Sequence, residues 1–274
     1  MFARRSVRKS ATAGIVTLIG VLALRPALSM EKRTPTLDEV LQALQSNLQN
    51  YDRNIPNFFC DEHVVSQIFP GTRRDITVTD SVFRLKRVVD SDHATSFVES
   101  REVKSVNSGP AGSITADPPA LLDGAFEGAL AVVSASQQAC MRYELKRNRG
   151  AYVVEFKTRE DVPQQSDCLL QEKAHGRAYV DAVSLQITRL ELTTPHHMIK
   201  DDAQSGWSDP LKGEWVLAVD YVPVLLDGKS FWMPATITSR VTSDPNSFHS
   251  RTWLFKATYR DFHKLEVTSR VVPP

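Results

Sequence analysis

The sequence is poor in glycine, with 12 in 274 residues, and carries only an ordinary share of proline, 15, while 42% of it is hydrophobic. Those values exclude a collagen-like, coiled-coil or disordered chain. It also lacks net charge, because 33 Lys and Arg face 32 Asp and Glu. The balance is uneven: residues 1–29 hold five cations (Arg4, Arg5, Arg8, Lys9 and Arg25) and no acid. Taking those five from 33 leaves 28 basic against 32 acidic groups, a net of −4. A mildly acidic remainder has no electrostatic footprint for nucleic acid, so no nucleic-acid partner is expected.

Catalytic and metal-binding signatures are missing as well. There is no GxSxG, no P-loop and no GxGxxG after a strand. Neither CxxC nor HExxH occurs, and the seven histidines show no ligand spacing on a readable helix. His196 and His197 follow Pro195 in a polar stretch and read as a solvated loop. Asp61, Glu62 and His63 place two acids beside a histidine, but strand alternation puts Asp61 and His63 on one face and Glu62 on the other. They cannot form one cluster, so a structural or solvated role is expected; Asp261 and His263 receive the same reading. Arg240 and Arg260 read as solvated charges flanking a sheet. The chain is therefore expected to be no enzyme and to need neither cofactor nor metal.

The N-terminus carries the clearest address. Residues 1–9 are basic, residues 11–24 are uncharged and largely apolar, and Ala27 and Ser29 stand at the −3 and −1 positions of a cleavage site. This predicts a signal peptide over 1–29, since 14 residues fall short of the roughly 20 that cross a bilayer as a helix. Residues 30–274 then form one exported domain, periplasmic or secreted and soluble after cleavage, with no repeat and no linker. Cys60, Cys140 and Cys168 follow, in a compartment where disulfides persist. Cys140 and Cys168 are closest in sequence and flank an expected hairpin at 142–158, so they are the favoured pair, with Cys60 left as a buried thiol. Three buried thiols are the alternative.

One amphipathic helix is legible. Thr36 and Glu39 form a capping box, and Leu37, Val40, Leu41, Leu44, Leu48 and Tyr51 recur on one stripe. Beyond Pro56 the period changes to runs of β-branched and aromatic residues at 58–69, 76–89, 94–106, 142–147, 151–158, 176–182, 185–193, 214–225, 230–242 and 251–270. Asn148-Arg149-Gly150 and Asp227-Gly228-Lys229 supply hairpin turns. A second helix is expected within 117–135, and 198–213 reads as a loop. In the last hairpin, Phe231, Met233, Ala235 and Ile237 share a face, with Trp232 and Pro234 opposite. Trp253, Phe255, Ala257 and Tyr259 share another face. An antiparallel sheet of about ten strands with one apolar face and one or two helices to cover it implies a mostly β, α+β fold. We expect a large curved sheet, a half-barrel wrapped around its helices.

The arrangement resembles the LolA/LolB-like lipoprotein-carrier fold of the bacterial envelope. NIPNFFC (54–60), GRAYVDAVSLQITRLEL (176–192), the VDYVPVLLDGKSFWMP segment and ATYRDF (257–262) resemble a family of uncharacterised secreted bacterial proteins thought to share that architecture. The resemblance implies an apolar cavity for acyl chains and a lipid or lipoprotein partner, and supplies no catalytic residues. Alternation then assigns the lining to Phe231, Met233, Ile237, Trp253, Phe255 and Tyr259, facing Leu41, Leu44 and Leu48. The same bulky residues can instead fill the interior, which would make the chain a structural or interaction module, and a concealed hydrolase is a third reading. Oligomeric state is left open.

Overall fold

In a computed structural model, residues 34–70, 74–89, 95–110, 126, 130–148, 150–161, 168–199, 211–243 and 251–266 are described. Thr36 caps helix α1 (Leu37–Asn54): its hydroxyl accepts from the Glu39 N–H, and the Glu39 carboxylate accepts from the Thr36 N–H at 2.7 Å. Two orphan donors of the first turn are thereby satisfied. The helix ends at Ile55, which precedes Pro56 and is extended, as the proline ring requires of its neighbour. Val40, Leu41, Leu44 and Tyr51 are buried on one side, whereas Leu37 and Leu48 are half-buried.

Eleven strands follow. β1 (Phe58–Pro70), β2 (Asp75–Val89), β3 (Thr95–Val106) and β4 (Gly109–Pro110) form one meander. A second contains β5 (Met141–Asn148), β6 (Ala151–Thr158), β7 (His175–Asp181), β8 (Ile187–Ile199), β9 (Leu211–Leu226), β10 (Lys229–Ser243) and β11 (Arg251–Lys264). The strand order is β4-β3-β2-β1-β11-β10-β9-β8-β7-β6-β5, every paired neighbour is antiparallel, and β4 and β5 do not pair. The fold is thus mostly β: one large unclosed antiparallel sheet with α1 packed into its core. Pro35–Pro274 forms one compact unit. Only the β1–β11 pairing joins strands distant in sequence; every other neighbour is the next strand along the chain.

The turns follow local chemistry. Asp227 and Gly228 both have positive φ, 52° and 74°, as a two-residue hairpin turn matching the strand twist requires. Alternation sends Phe58, Cys60, Val64, Phe83, Leu85, Ala257 and Tyr259 inward, where they meet α1 and Phe126. Phe126 stacks on Phe83 at 4.5 Å and meets Tyr259 edge-on at 4.7 Å.

Several expectations need correction. The stretch around His196 and His197 is part of β8, which passes Pro195 through a bulge between Thr194 and His197 and pairs His197 with Gly213. A bulge lets a strand carry a proline that cannot donate to the ladder. The expected loop at 198–213 therefore shrinks at both ends, and 200–210 lie outside the described residues. In β10 a bulge between Pro234 and Thr236 shifts the alternation, so Pro234 is buried and Ala235 half-buried. The signal peptide at 1–29 lies outside the described residues, as does most of the helix expected within 117–135; a 3-10 turn, Ala135–Gln137, follows the latter.

Cys140 and Cys168 are joined, with Cα atoms 5.8 Å apart, tying the start of β5 to the segment before β7. Cys60 is a buried free thiol on the inner face of β1, and burial, aided by Glu62 and Asp61, pushes its pKa up. Thiol titration of denatured, unreduced protein is expected to find one reactive cysteine, and three would contradict the bond.

Candidate functional site

The inner face of the sheet divides into an apolar part and a polar part. At the apolar end, the C-terminal half of α1 leans on the ends of β8, β9 and β10 and leaves a crevice of about 40 Å³. Leu44, Leu48 and Tyr51 form its helical wall, Ile187, Tyr221, Phe231 and Trp232 its sheet wall, and Leu130 and Val133 its third side. Asn47, Asn50, Gln186 and Ser230 also line it, and none of the described lining residues is charged. The helix is pinned to this region by two long-range hydrogen bonds. Asn47 donates to the Leu185 carbonyl at 2.8 Å, and the Gln45 side-chain oxygen accepts from the Ala135 N–H at 2.6 Å. Tyr221 is 4% exposed; its hydroxyl oxygen is sealed from solvent and has no hydrogen-bond partner, and burial raises its pKa. The phenol therefore keeps its proton across the physiological range.

Of the nine residues assigned to a cavity lining, the crevice brings together Leu44, Leu48 and Phe231. Leu41, Met233, Ile237, Phe255 and Tyr259 are buried in the continuous core, and Trp253 is half-buried. Met233 and Ile237 have no exposed surface at all, so that part of the interior is filled. Most of the lining residues fall outside those nine, Trp232 and Tyr221 among them. Trp232 falls on the outward side by simple alternation but packs against the core. Tyr221 lies in an alternating apolar run, where nothing distinguishes a hydroxyl with a partner from one without.

The polar part is built across three strands. Glu62 on β1 stands opposite Tyr259 on one side and Ser81 on the other, and Arg101 on β3 pairs with Phe83 in the next row. Arg101 leans across the Phe83 ring, its guanidinium carbon 5.0 Å from the ring centre, and its Nε donates to both Glu62 oxygens at 3.0 Å. Ser81 donates to Glu62 at 2.6 Å, and Glu99 lies 3.5 Å from the guanidinium. The Glu62 side chain is 0% exposed and that of Arg101 7%. Burial alone would lower the Arg101 pKa; the charges of Glu62, Tyr259 and Glu99 outweigh it, and the pKa is raised. Glu62 therefore has a buried structural role, with its charge matched inside the protein rather than by water.

On the outer face, His63 Nδ1 lies 2.7 Å from Asp80, and Ser105 donates to the other Asp80 oxygen at 2.8 Å. These hydrogen bonds, His63 first, hold the Asp80 carboxyl below its ordinary range. Serine, histidine and aspartate are all present, but the aspartate sits between the other two. The serine proton points away from the imidazole, so the group cannot activate a nucleophile. Among the described residues, no three His, Cys, Asp or Glu side chains converge on a metal-sized site. None of the described helices is long and apolar enough to cross a membrane.

No family model and no curated protein matches the sequence. Among solved structures, the chain is similar to an outer membrane lipoprotein-sorting protein domain from Vibrio parahaemolyticus. They share 9% identity over 81% of this chain and 90% of that one, with a TM-score of 0.33. It is also similar to a DUF1329 family protein from Desulfovibrio piger, at 9% identity over 86% and 96% of the two chains with a TM-score of 0.38. Lipovitellin, from a structure of lipid–protein interactions, aligns at 8% identity over 79% of this chain and 26% of its own, with a TM-score of 0.28.

Proposed function

We propose that the protein is an exported, non-catalytic carrier that shelters an acyl chain between α1 and the ends of β8, β9 and β10. The observation that carries this reading is a mostly apolar crevice, with no charge among its described lining residues, at the junction of α1 and an unclosed sheet. A crevice of about 40 Å³ holds a water or two. An acyl chain enters by spreading the helix from the sheet, which breaks the Asn47 and Gln45 hydrogen bonds and leaves the main sheet core intact. The basic and apolar N-terminal pattern and the disulfide support export.

A second reading, a packed interaction module, is favoured by the complete burial of Met233 and Ile237. A fluorescent fatty-acyl probe separates the two. The carrier reading expects the probe to bind, and Leu48→Trp, at the half-buried helical wall, to weaken binding about tenfold, or ~1.4 kcal/mol. Stability should change by less than about 1 kcal/mol, because Leu48 is not in the filled core. Phe255→Trp, in the packed part and 9% exposed, should cost ~1–3 kcal/mol of stability without affecting the probe. A native protein that fails to bind the probe would overturn the carrier in favour of the module.

A further inference from the structure

We propose that the occupant of the crevice carries a neutral acyl ester and that the Tyr221 hydroxyl donates a hydrogen bond to its carbonyl oxygen. This deepens the carrier reading and rests on it. Buried hydroxyls in folded proteins nearly always have a partner, and the hydroxyl of Tyr221, a residue of the crevice's sheet wall, has none. One N–H of the Asn47 amide, in the same lining, already donates to the Leu185 carbonyl. A phenol that keeps its proton offers a donor, so the matching group is an acceptor oxygen.

The surroundings narrow that acceptor further. Leu44, Leu48, Ile187 and Phe231 require the body of the ligand to be hydrocarbon. Among the described residues no lysine or arginine lines the crevice, so a phosphate or a free carboxylate would enter without a counter-charge from them. An uncharged ester carbonyl meets both conditions. A trapped water is the competing partner, and the crevice has room for one.

The test compares three probes of equal chain length: an acyl ester, the matching ether without the carbonyl, and the free fatty acid. Each is titrated into the wild-type protein and Tyr221→Phe. The wild type is expected to bind the ester about tenfold more tightly than the ether, as a buried neutral hydrogen bond allows, with the ionised acid the weakest. Tyr221→Phe should bring ester binding to the level of the ether, with an unfolding midpoint no lower than that of the wild type, since an unpartnered buried hydroxyl is removed. Equal binding of ester and ether by the wild type, or an ester preference that survives in the variant, overturns the hydrogen bond but leaves the carrier standing. Equal losses for both probes in the variant mean that Tyr221 only shapes the wall, and overturn it too. A wild type that binds no probe overturns the carrier reading itself.

Discussion

Replacing Arg101 by leucine is expected to destabilise the protein by about 3–5 kcal/mol, because the change strands the Glu62 carboxylate where its side chain has no exposure to water. The Ser81 hydroxyl would remain as a donor to the carboxylate, too little to replace a guanidinium whose Nε serves both oxygens. The stacking of Arg101 on Phe83 is lost in the same step. Urea unfolding with the disulfide intact measures the loss. The double replacement Glu62→Leu with Arg101→Leu should recover most of it, since removing both charges costs far less than removing one. A single variant within about 1 kcal/mol of the wild type would show that water reaches Glu62.

Gly176→Ala should cost about 3 kcal/mol, for a reason unrelated to backbone conformation. A methyl group at Gly176 would lie 2.0 Å from the Glu191 carbonyl oxygen on β8 and 2.4 Å from the Phe156 ring on β6. The ring can rotate away, but the carbonyl belongs to a ladder strand and cannot. Phe156→Leu introduced alongside should therefore rescue only part of the loss. Gly228 is the control: its φ is +74° and nothing lies within 4 Å of an added methyl, so Gly228→Asn should be nearly neutral. Thermal unfolding of the three variants checks the contrast, and a stable Gly176→Ala would mean that β7 and β8 are farther apart than described.

The strands were legible because alternation and turn chemistry are local properties. Asp227-Gly228 marks its hairpin through residues that accept positive φ, and Thr36 with Glu39 marks the helix start through a reciprocal pair of hydrogen bonds. Bulges were not legible. The detour around Pro195 prolongs a strand through what composition marks as a loop, and the extra residue near Ala235 buries Pro234 in its place without displacing Ile237 from the core. Glu62 shows a different limit. Its inward direction follows from alternation, but its partner lies on β3, two strands away and 39 residues later in sequence. Only the three-dimensional register of β1, β2 and β3 shows that a charge sent into the core is matched there. The crevice was partly legible: the helical stripe supplied Leu44 and Leu48 and the last hairpin Phe231, whereas Tyr221 and Trp232 join it only in the folded structure.

The pairing of β1 with β11 also bears on how the chain folds as it is made. β1 is among the first strands to emerge and β11 the last, so one edge of β1 stays without its partner until nearly the whole sequence has been synthesised. Both meanders can form by zipping adjacent hairpins, which is fast. The ladder that unites them requires the closure of a loop of nearly the entire molecule, the step with the largest entropic penalty. Until then two half-sheets each expose a long strand edge, the template on which misassembly and swapping between chains begin.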